Sequence, residues 1–241
     1  HHSRKGFRTC GRFASSVRRM GAKEKMSFFD FFTTAKTEKN AKKTVSLPEL
    51  VAKTFAAPPT LETARLTLCK IVPEYAEDMF EYSGDAEVTK YLTWSPHASA
   101  KETERYIRVL QKKYADGSFN DWGLIHKETG KFIGTCGYTS FDYAANTAEV
   151  GYVLGKPYWG QGLAAEAVKC VMQFGFEVFG LDGFTAKYME GNDASGRVMQ
   201  KCGMTLEGVY RHSMYIKGEF KNIVVYHVTK EQFYAALERN A

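Results

Sequence analysis

Gly160-Gln161-Gly162 sets two glycines between a stretch that alternates like a strand, Thr147–Leu154, and a long helical one, residues 163–179. Without a Cβ, each glycine lets the backbone run close to a ligand. The unpaired N–H groups of the following helix's first turn, helped by the helix dipole, face whatever lies there. That chemistry suits a phosphate or pyrophosphate, so a cofactor with a diphosphate arm is the first expectation. The run Gly160 to Ala165 also fits the dinucleotide fingerprint G-x-G-x-x-A. A dinucleotide fold, however, needs this turn after its first strand, inside a parallel βαβ unit. Here the turn follows hairpin-like strands, and Lys156-Pro157 interrupts the strand just before it. No Gly-Lys-Ser/Thr follows the glycines, which excludes a P-loop. A glycine pair that merely closes a strand onto a helix is the plain alternative.

The wider stretch points further. Ala148-Glu149-Val150-Gly151-Tyr152-Val153-Leu154 leads into Tyr158-Trp159-Gly160-Gln161-Gly162-Leu163-Ala164-Ala165-Glu166-Ala167. Together they resemble the acetyl-CoA-binding motif of the GNAT superfamily of N-acetyltransferases. The likeness is greatest to the branch that acetylates N-termini of ribosomal proteins (RimJ/RimL-type). Asn192-Asp193-Ala194-Ser195-Gly196-Arg197, followed by Lys201-Cys202-Gly203-Met204, is similar to that branch's second signature. Thr63-Ala64-Arg65-Leu66-Thr67-Leu68 and Lys217-Gly218…Tyr226 also fit, so the resemblance spans about residues 60 to 240. Three positions depart from the pattern: Trp159 stands where the general superfamily has Gln or Arg, Asn222 where many branch members have Asp, and Met204 where Phe is usual.

The resemblance implies acetyl-CoA as co-substrate and a primary amine as acceptor. Acetyl transfer needs a neutral amine, a polarised thioester carbonyl and a proton for the leaving thiolate. Glu149 is the candidate base, against the plain reading of a solvated strand residue or a base supplied by water. Ser195 would protonate or hold the departing sulfur, and Asn192 would bind the pantetheine or the amine. Both also fit ordinary helix N-caps. Tyr152, Val153 and Leu154 would offer backbone groups to the pantetheine amides, one N–H polarising the thioester. Gly160, Gln161, Gly162, Leu163, Ala164 and Ala165 would cradle the pyrophosphate. Trp159 would cap that pocket or simply pack, and Arg197 would reach phosphate or form a surface ion pair. Trp94 and His97, in a Pro-containing loop, would contact the acceptor.

Composition narrows the classes. The 241 residues are 44% hydrophobic, ordinary for a globular protein, and no run approaches the roughly 18 apolar residues of a membrane span. Residues 1–60 hold 13 Lys and Arg against 4 Asp and Glu, whereas residues 61–241 hold 20 against 23. The basic excess therefore belongs to the N-terminal part, and the slightly acidic body gives no reason to expect nucleic acid. Cys10, Cys69, Cys136, Cys170 and Cys202 are scattered, without C-x-x-C, and the six histidines include no H-x-x-x-H. Free thiols in a reducing cytoplasm and no metal are expected.

The first twenty residues carry six Lys and Arg and no acid, a transit-peptide composition, yet His1-His2 opens the chain and Met20 and Met26 are plausible starts. Residues 1–59 read as a basic, largely disordered extension, with Phe28-Phe29-Asp30-Phe31-Phe32 as a short packing segment and Pro58-Pro59 as the boundary. Residues 60–241 read as the catalytic domain.

Its elements follow from periodicity. Residues 65–71 alternate like a strand, and residues 74–82 place Tyr75, Met79 and Tyr82 on one helical stripe. A second helix starts at Ser99 or Ala100, with Tyr106, Ile107, Leu110 and Tyr114 as its core face. Three meander strands, the helix after Gly162, a strand at residues 184–189, a short helix at 194–202, two long strands and a closing helix complete the order. Consecutive strands without helical crossovers exclude an all-parallel sheet. An α/β (α+β) fold with a mixed, mostly antiparallel sheet flanked by helices is the outcome. The family resemblance adds a splayed parallel strand pair, strands 148–154 and 184–189, holding the pantetheine between them. The expected function is acetyl-CoA-dependent N-acetylation of a protein or peptide N-terminus, a ribosomal protein among the candidates, by a monomer or homodimer. Polyamine, amino-acid or drug acceptors, and a non-catalytic acyl-CoA sensor, are the alternatives.

Overall fold

The computed structural model describes residues 45–239. Eight strands form one sheet in the order β1-β2-β3-β4-β5-β6-β8-β7, with β1 Leu61–Glu62, β2 Leu66–Cys69, β3 Asp121–His126, β4 Phe132–Asp142, β5 Thr147–Leu154, β6 Gly183–Met189, β7 Thr205–Ile216 and β8 Glu219–Thr229. Every neighbouring pair is antiparallel except β5 and β6. That one parallel pair is joined through a helix, as parallel connectivity demands. The expected mixed sheet is the observed one, with the helices α1 Leu47–Ala56, α2 Ala76–Ser83, α3 Ala86–Thr89, α4 Ala100–Ala115, α5 Leu163–Phe174, α6 Asp193–Lys201 and α7 Lys230–Arg239 around it. Among the described residues, no helix is long and apolar enough to cross a membrane.

The strand alternation sorts side chains onto two faces. One face meets α1 and α5: Trp122, Tyr138, Ala148, Val150 and Phe184 pack there against Phe55, Val168 and Val171. The other meets α2 and α4 through Ile71, Met79, Tyr82, Ile107, Leu110 and Tyr114. Tyr106, expected with that stripe, is instead 43% exposed. It lies about 100° around the helix from Ile107, at the margin of the face defined by Ile107, Leu110 and Tyr114.

Three further expectations are corrected. The boundary at residues 59 and 60 falls inside the folded body, because α1 packs on it. Phe55 is fully buried, 4.7 Å from the Trp122 ring centroid, and the Trp122 indole N–H donates to the Pro59 carbonyl at 2.8 Å. The aromatic segment at residues 28–32 and both candidate starts lie outside the described residues. The helix expected over residues 163–179 is α-helical only to Phe174 and continues as a π-helix over Gly175–Phe179. There the Tyr138 hydroxyl donates to the Val171 carbonyl at 2.6 Å, and a Cβ on Gly175 would come within 2.5 Å of Phe184. Finally, residues 73–75 form a 3-10 turn ahead of α2, not its first turn.

Candidate active site

Strands β5 and β6 pair over only three residues, Thr147 with Gly183, Ala148 with Phe184 and Glu149 with Thr185. Beyond Glu149 they part, and β5 from Val150 to Leu154 keeps β4 as its sole sheet neighbour. Such a splay leaves the β6-facing backbone groups of β5 without a ladder partner, a slot able to hold an extended amide-bearing chain. Of the three residues expected to use it, Leu154 is partly committed elsewhere: its carbonyl accepts the Trp159 indole N–H at 2.6 Å. Trp159 thereby pins the turn that follows β5 while 45% of its surface stays exposed.

Gly160 and Gly162 both adopt left-handed backbone, with φ of 75° and 81°, which a residue with a Cβ reaches only at a cost. Gly162 is the N-cap of α5, and no side chain caps it. The first helical bond runs from the Glu166 N–H to the Gly162 carbonyl at 3.1 Å, so the amides of Leu163, Ala164 and Ala165 precede it and form the anion-facing first turn. The side chains of Leu163 and Ala165 are buried in the core, which anchors those amides.

A carboxylate clamp holds this turn in place. The Glu166 carboxylate accepts from the Thr63 hydroxyl at 2.6 Å, the Arg65 amide at 2.8 Å and the Arg65 guanidinium at 2.8 Å. Arg65 in turn donates to the Gln161 carbonyl at 2.9 Å. Burial pushes the Glu166 carboxyl up, but these donors outweigh it and hold it below the usual carboxylate range. Opposite charges in two separate motifs, Thr63-Ala64-Arg65 and Glu166, were the signal that sequence reading could have joined. An open cleft of about 600 Å³ starts at Gly162 and Arg65 and is lined by Lys169, Lys201 and Arg239. These cations suit the phosphates of a nucleotide, and sequence reasoning missed them. Arg197 sits on α6 one turn before Lys201, exposed and with no carboxylate partner among the described residues.

At the far side of the slot, α6 begins without a side-chain cap from Asn192. Asn192 holds the N-cap position through its backbone alone, and Ser195 lies inside the first turn of α6. Ser195 turns its hydroxyl to the Tyr152 phenol at 2.8 Å, and that phenol also reaches the Ser195 carbonyl at 2.9 Å. A side-chain bridge thus crosses from β5 to α6 where the backbone ladder between β5 and β6 is missing. Burial raises the Tyr152 phenol well above its ordinary value, so it stays a neutral donor. Only its backbone had been assigned a role from the sequence.

Glu149 lies on the opposite face, with Gly151 and Val153. Its Oε1 accepts from the Thr139 hydroxyl at 2.7 Å, and its Oε2 pairs with the Lys187 ammonium at 2.8 Å. Thr139 is the extra residue of a β4 bulge opposite Glu149. Glu149 and Lys187 line a cleft of about 330 Å³ with Thr185, Tyr210, Ser213 and Met214. Lys187 was not foreseen, although it is two residues beyond Thr185 on the same strand face.

Trp94 and His97 pack with their rings tilted at 36° and 5.5 Å between centroids, and His97 meets the Tyr106 ring edge-on at 5.6 Å. The His97 imidazole Nδ1 lies 2.8 Å from the Thr103 hydroxyl, and its amide donates to the Ser83 carbonyl at 2.9 Å. Burial lowers its pKa, against a smaller opposing pull from Glu102. The loop is thus a built feature between α3 and α4, on the same side of the sheet as Glu149. Its start reaches β6: Tyr91 packs with Met189, Ile216 and Ile223. Asn222, where the family often has Asp, donates to Glu190 at 2.8 Å and accepts from the His212 amide at 2.9 Å, tying β8 to β7.

The family's sequence profile, described as acetyltransferase (GNAT) domain, matches residues 65–205. The uncharacterized N-acetyltransferase p20 of Bacillus licheniformis is 33% identical over 174 residues, covering 72% of this chain and 98% of the relative. The spermidine N(1)-acetyltransferase of Escherichia coli K12 is 26% identical, covering 69% of this chain and 88% of that one. The crystal structure of the ribosomal-protein-S5-alanine acetyltransferase from Vibrio fischeri superposes with a TM-score of 0.58 at 20% identity, over 72% of this chain and 98% of that one. A splayed parallel strand pair, an uncapped glycine turn and a basic cleft beside it fit an acyl-CoA, whose thioester supplies the activated acetyl group. The chain belongs to the GNAT family and is an acetyl-CoA-dependent N-acetyltransferase.

Proposed function

We propose that the acceptor is the α-amine of a protein or peptide N-terminus, as in the branch that acetylates ribosomal proteins, and that the protein works in the cytoplasm. The observation that carries this reading is the charge balance of the acceptor-side cleft. Among the described residues Glu149 is the one carboxylate lining it, and Lys187 already pairs with that charge. A polyamine brings two or more ammonium groups and needs several uncompensated acids. A peptide brings one ammonium and a chain of amides, which Tyr210, Ser213 and the strand edges can accommodate. A ribosomal-protein-S5-alanine acetyltransferase among the structural neighbours supports the reading, and the spermidine acetyltransferase among the relatives marks the competing one.

In this reading the first-turn amides of α5 and the basic cleft hold the cofactor's phosphates, and the free β5 groups and Asn192 hold its pantetheine arm. Arg197 adds a cation on the phosphate side. Glu149, as the base, takes the acceptor amine's proton directly or through water from one face of the sheet. Ser195, fixed by Tyr152, delivers a proton to the leaving thiolate from the other. Trp94 and His97 border the acceptor's path. Thiol release from acetyl-CoA with a panel of amines tests the reading. Release driven by peptides with a free N-terminus supports it, release driven by spermidine alone replaces it with the small-amine alternative, and CoA binding without release points to the acyl-CoA sensor.

A further inference from the structure

Two side-chain bridges frame the opening where β5 leaves β6, one on each face of the sheet. On the α5 face the bridge is neutral, the Tyr152 phenol with the Ser195 hydroxyl. On the opposite face it is ionic, the Glu149 carboxylate with the Lys187 ammonium at 2.8 Å. Glu149 stands on the last paired rung of the two strands, across from Thr185. Lys187 is the next residue of β6 on that face, already beyond the rung. Its backbone pairs with Val225 of β8 on the far side, so only its side chain reaches back to β5. Further along the same face, Met189 packs with Tyr91, Ile216 and Ile223, an apolar cluster that offers the ammonium no second acid.

Both members of the pair line the acceptor-side cleft, and among the described residues no other charged side chain lines it. The cation is the more open of the two: the Lys187 side chain is 41% exposed, that of Glu149 18%. An ammonium entering the cleft therefore meets a like charge before it reaches the carboxylate. Acceptor amines differ in what this costs them. An N-terminal α-amine, with an ordinary pKa of about 7.7–8.0, is partly uncharged near neutral pH. An alkylamine of the lysine type, at about 10.4, is almost wholly cationic, and a polyamine carries two or more such charges.

We propose that Lys187 is the selectivity residue of the acceptor site. By balancing the Glu149 charge and repelling further cations, it admits a monoamine able to enter uncharged and turns polyamines away. This deepens the reading of the acceptor as a peptide N-terminus and rests on it. Glu149 remains the base in that reading, and Lys187 sets which amines reach it.

The test compares kcat/KM for a peptide with a free Ser N-terminus with kcat/KM for spermidine. Four proteins are measured: wild type, Lys187→Arg, Lys187→Met and Lys187→Glu. The melting shift on adding CoA checks that each keeps its fold and cofactor site. Met retains an unbranched apolar stem without the charge, and Arg retains the charge. Lys187→Arg should hold the wild-type ratio of peptide to spermidine. Lys187→Met should lower it about fivefold, mainly through a lower KM for spermidine, and Lys187→Glu should lower it further. In a wild type without measurable spermidine turnover, the same order is read as activity gained in the Met and Glu variants. Added salt should narrow the gap between wild type and Lys187→Met, because the charge is open to solvent. A ratio that stays within about twofold of wild type in both the Met and Glu variants, or falls equally in Lys187→Arg, overturns the role of Lys187. Either result leaves the N-terminal reading standing. A wild type that acetylates spermidine and no peptide overturns that reading and the proposal with it.

Discussion

The two faces of the sheet at β5 are built on different terms. On the α5 face the side chains that frame the slot are partnered: Glu166 with Thr63 and Arg65, Tyr152 with Ser195, Trp159 with the Leu154 carbonyl. The core beneath is sealed by fully buried Phe55, Trp122 and Phe174. On the other face the sheet carries glycines at 137 and 151, a half-buried carboxylate at Asp121 that no hydrogen-bond donor among the described residues reaches, and exposed Tyr106 and Tyr210. A site for a constant cofactor can be pre-organised by packing and charge. A site for a variable acceptor is left with accessible groups and unspent hydrogen-bonding capacity.

That contrast is sharpest in stability. Phe55→Ala, on the sealed face, should cost about 3–5 kcal/mol of unfolding free energy by leaving a cavity beside Trp122 and Tyr138. Denaturant titration reads it, and a loss below about 1 kcal/mol would show that α1 is a loose appendage. The open face should respond in the opposite sense. A carboxyl whose folded value is raised to about 7 binds a proton more readily in the native than in the unfolded chain, so it costs stability increasingly as pH rises from about 4 to 7. Asp121→Asn should remove that cost, a gain bounded by about 4 kcal/mol at pH 8 and vanishing near pH 4. Equal melting shifts at both pH values would show that Asp121 is not the strained group described.

Ligand binding divides the faces again. CoA at about 100 times its Kd should stabilise the wild type by roughly 2.7 kcal/mol. Gly162→Val should abolish that increment, because a β-branched residue resists the left-handed backbone that aims the first-turn amides. A full CoA shift in Gly162→Val would move the phosphate site elsewhere. Ser195→Ala should lower kcat about tenfold, equivalent to about 1.4 kcal/mol, while CoA affinity changes little. If affinity falls and kcat does not, the Tyr152–Ser195 bridge serves only to shape the slot.

The same asymmetry explains what could be read from the chain alone. The glycine turn and the strand leading into it were legible because backbone builds them. Glycines at 160 and 162, strand alternation into Leu154 and a helix beginning at Leu163 leave marks in local sequence. The sheet class followed from strands that succeed one another without crossovers. What escaped were contacts made across long sequence separations: Arg65 to Glu166, Tyr152 to Ser195, Glu149 to Lys187 and Phe55 to Trp122. No periodicity encodes which residues of distant elements meet. The α1 helix was hidden for a related reason. Ten residues beside a basic, polar stretch have too little helical pattern to stand out, and tertiary packing stabilises them.

The central claim, acetyl transfer from acetyl-CoA to an α-amine, is tested most directly by mass spectrometry of products from three acceptors offered together. These are a peptide with a free Ser, Ala or Thr N-terminus, the same peptide N-blocked with an internal Lys, and spermidine. The account predicts one added acetyl group, on the N-terminal residue of the first peptide. Acetyl groups confined to the lysine side chain or to spermidine would contradict it.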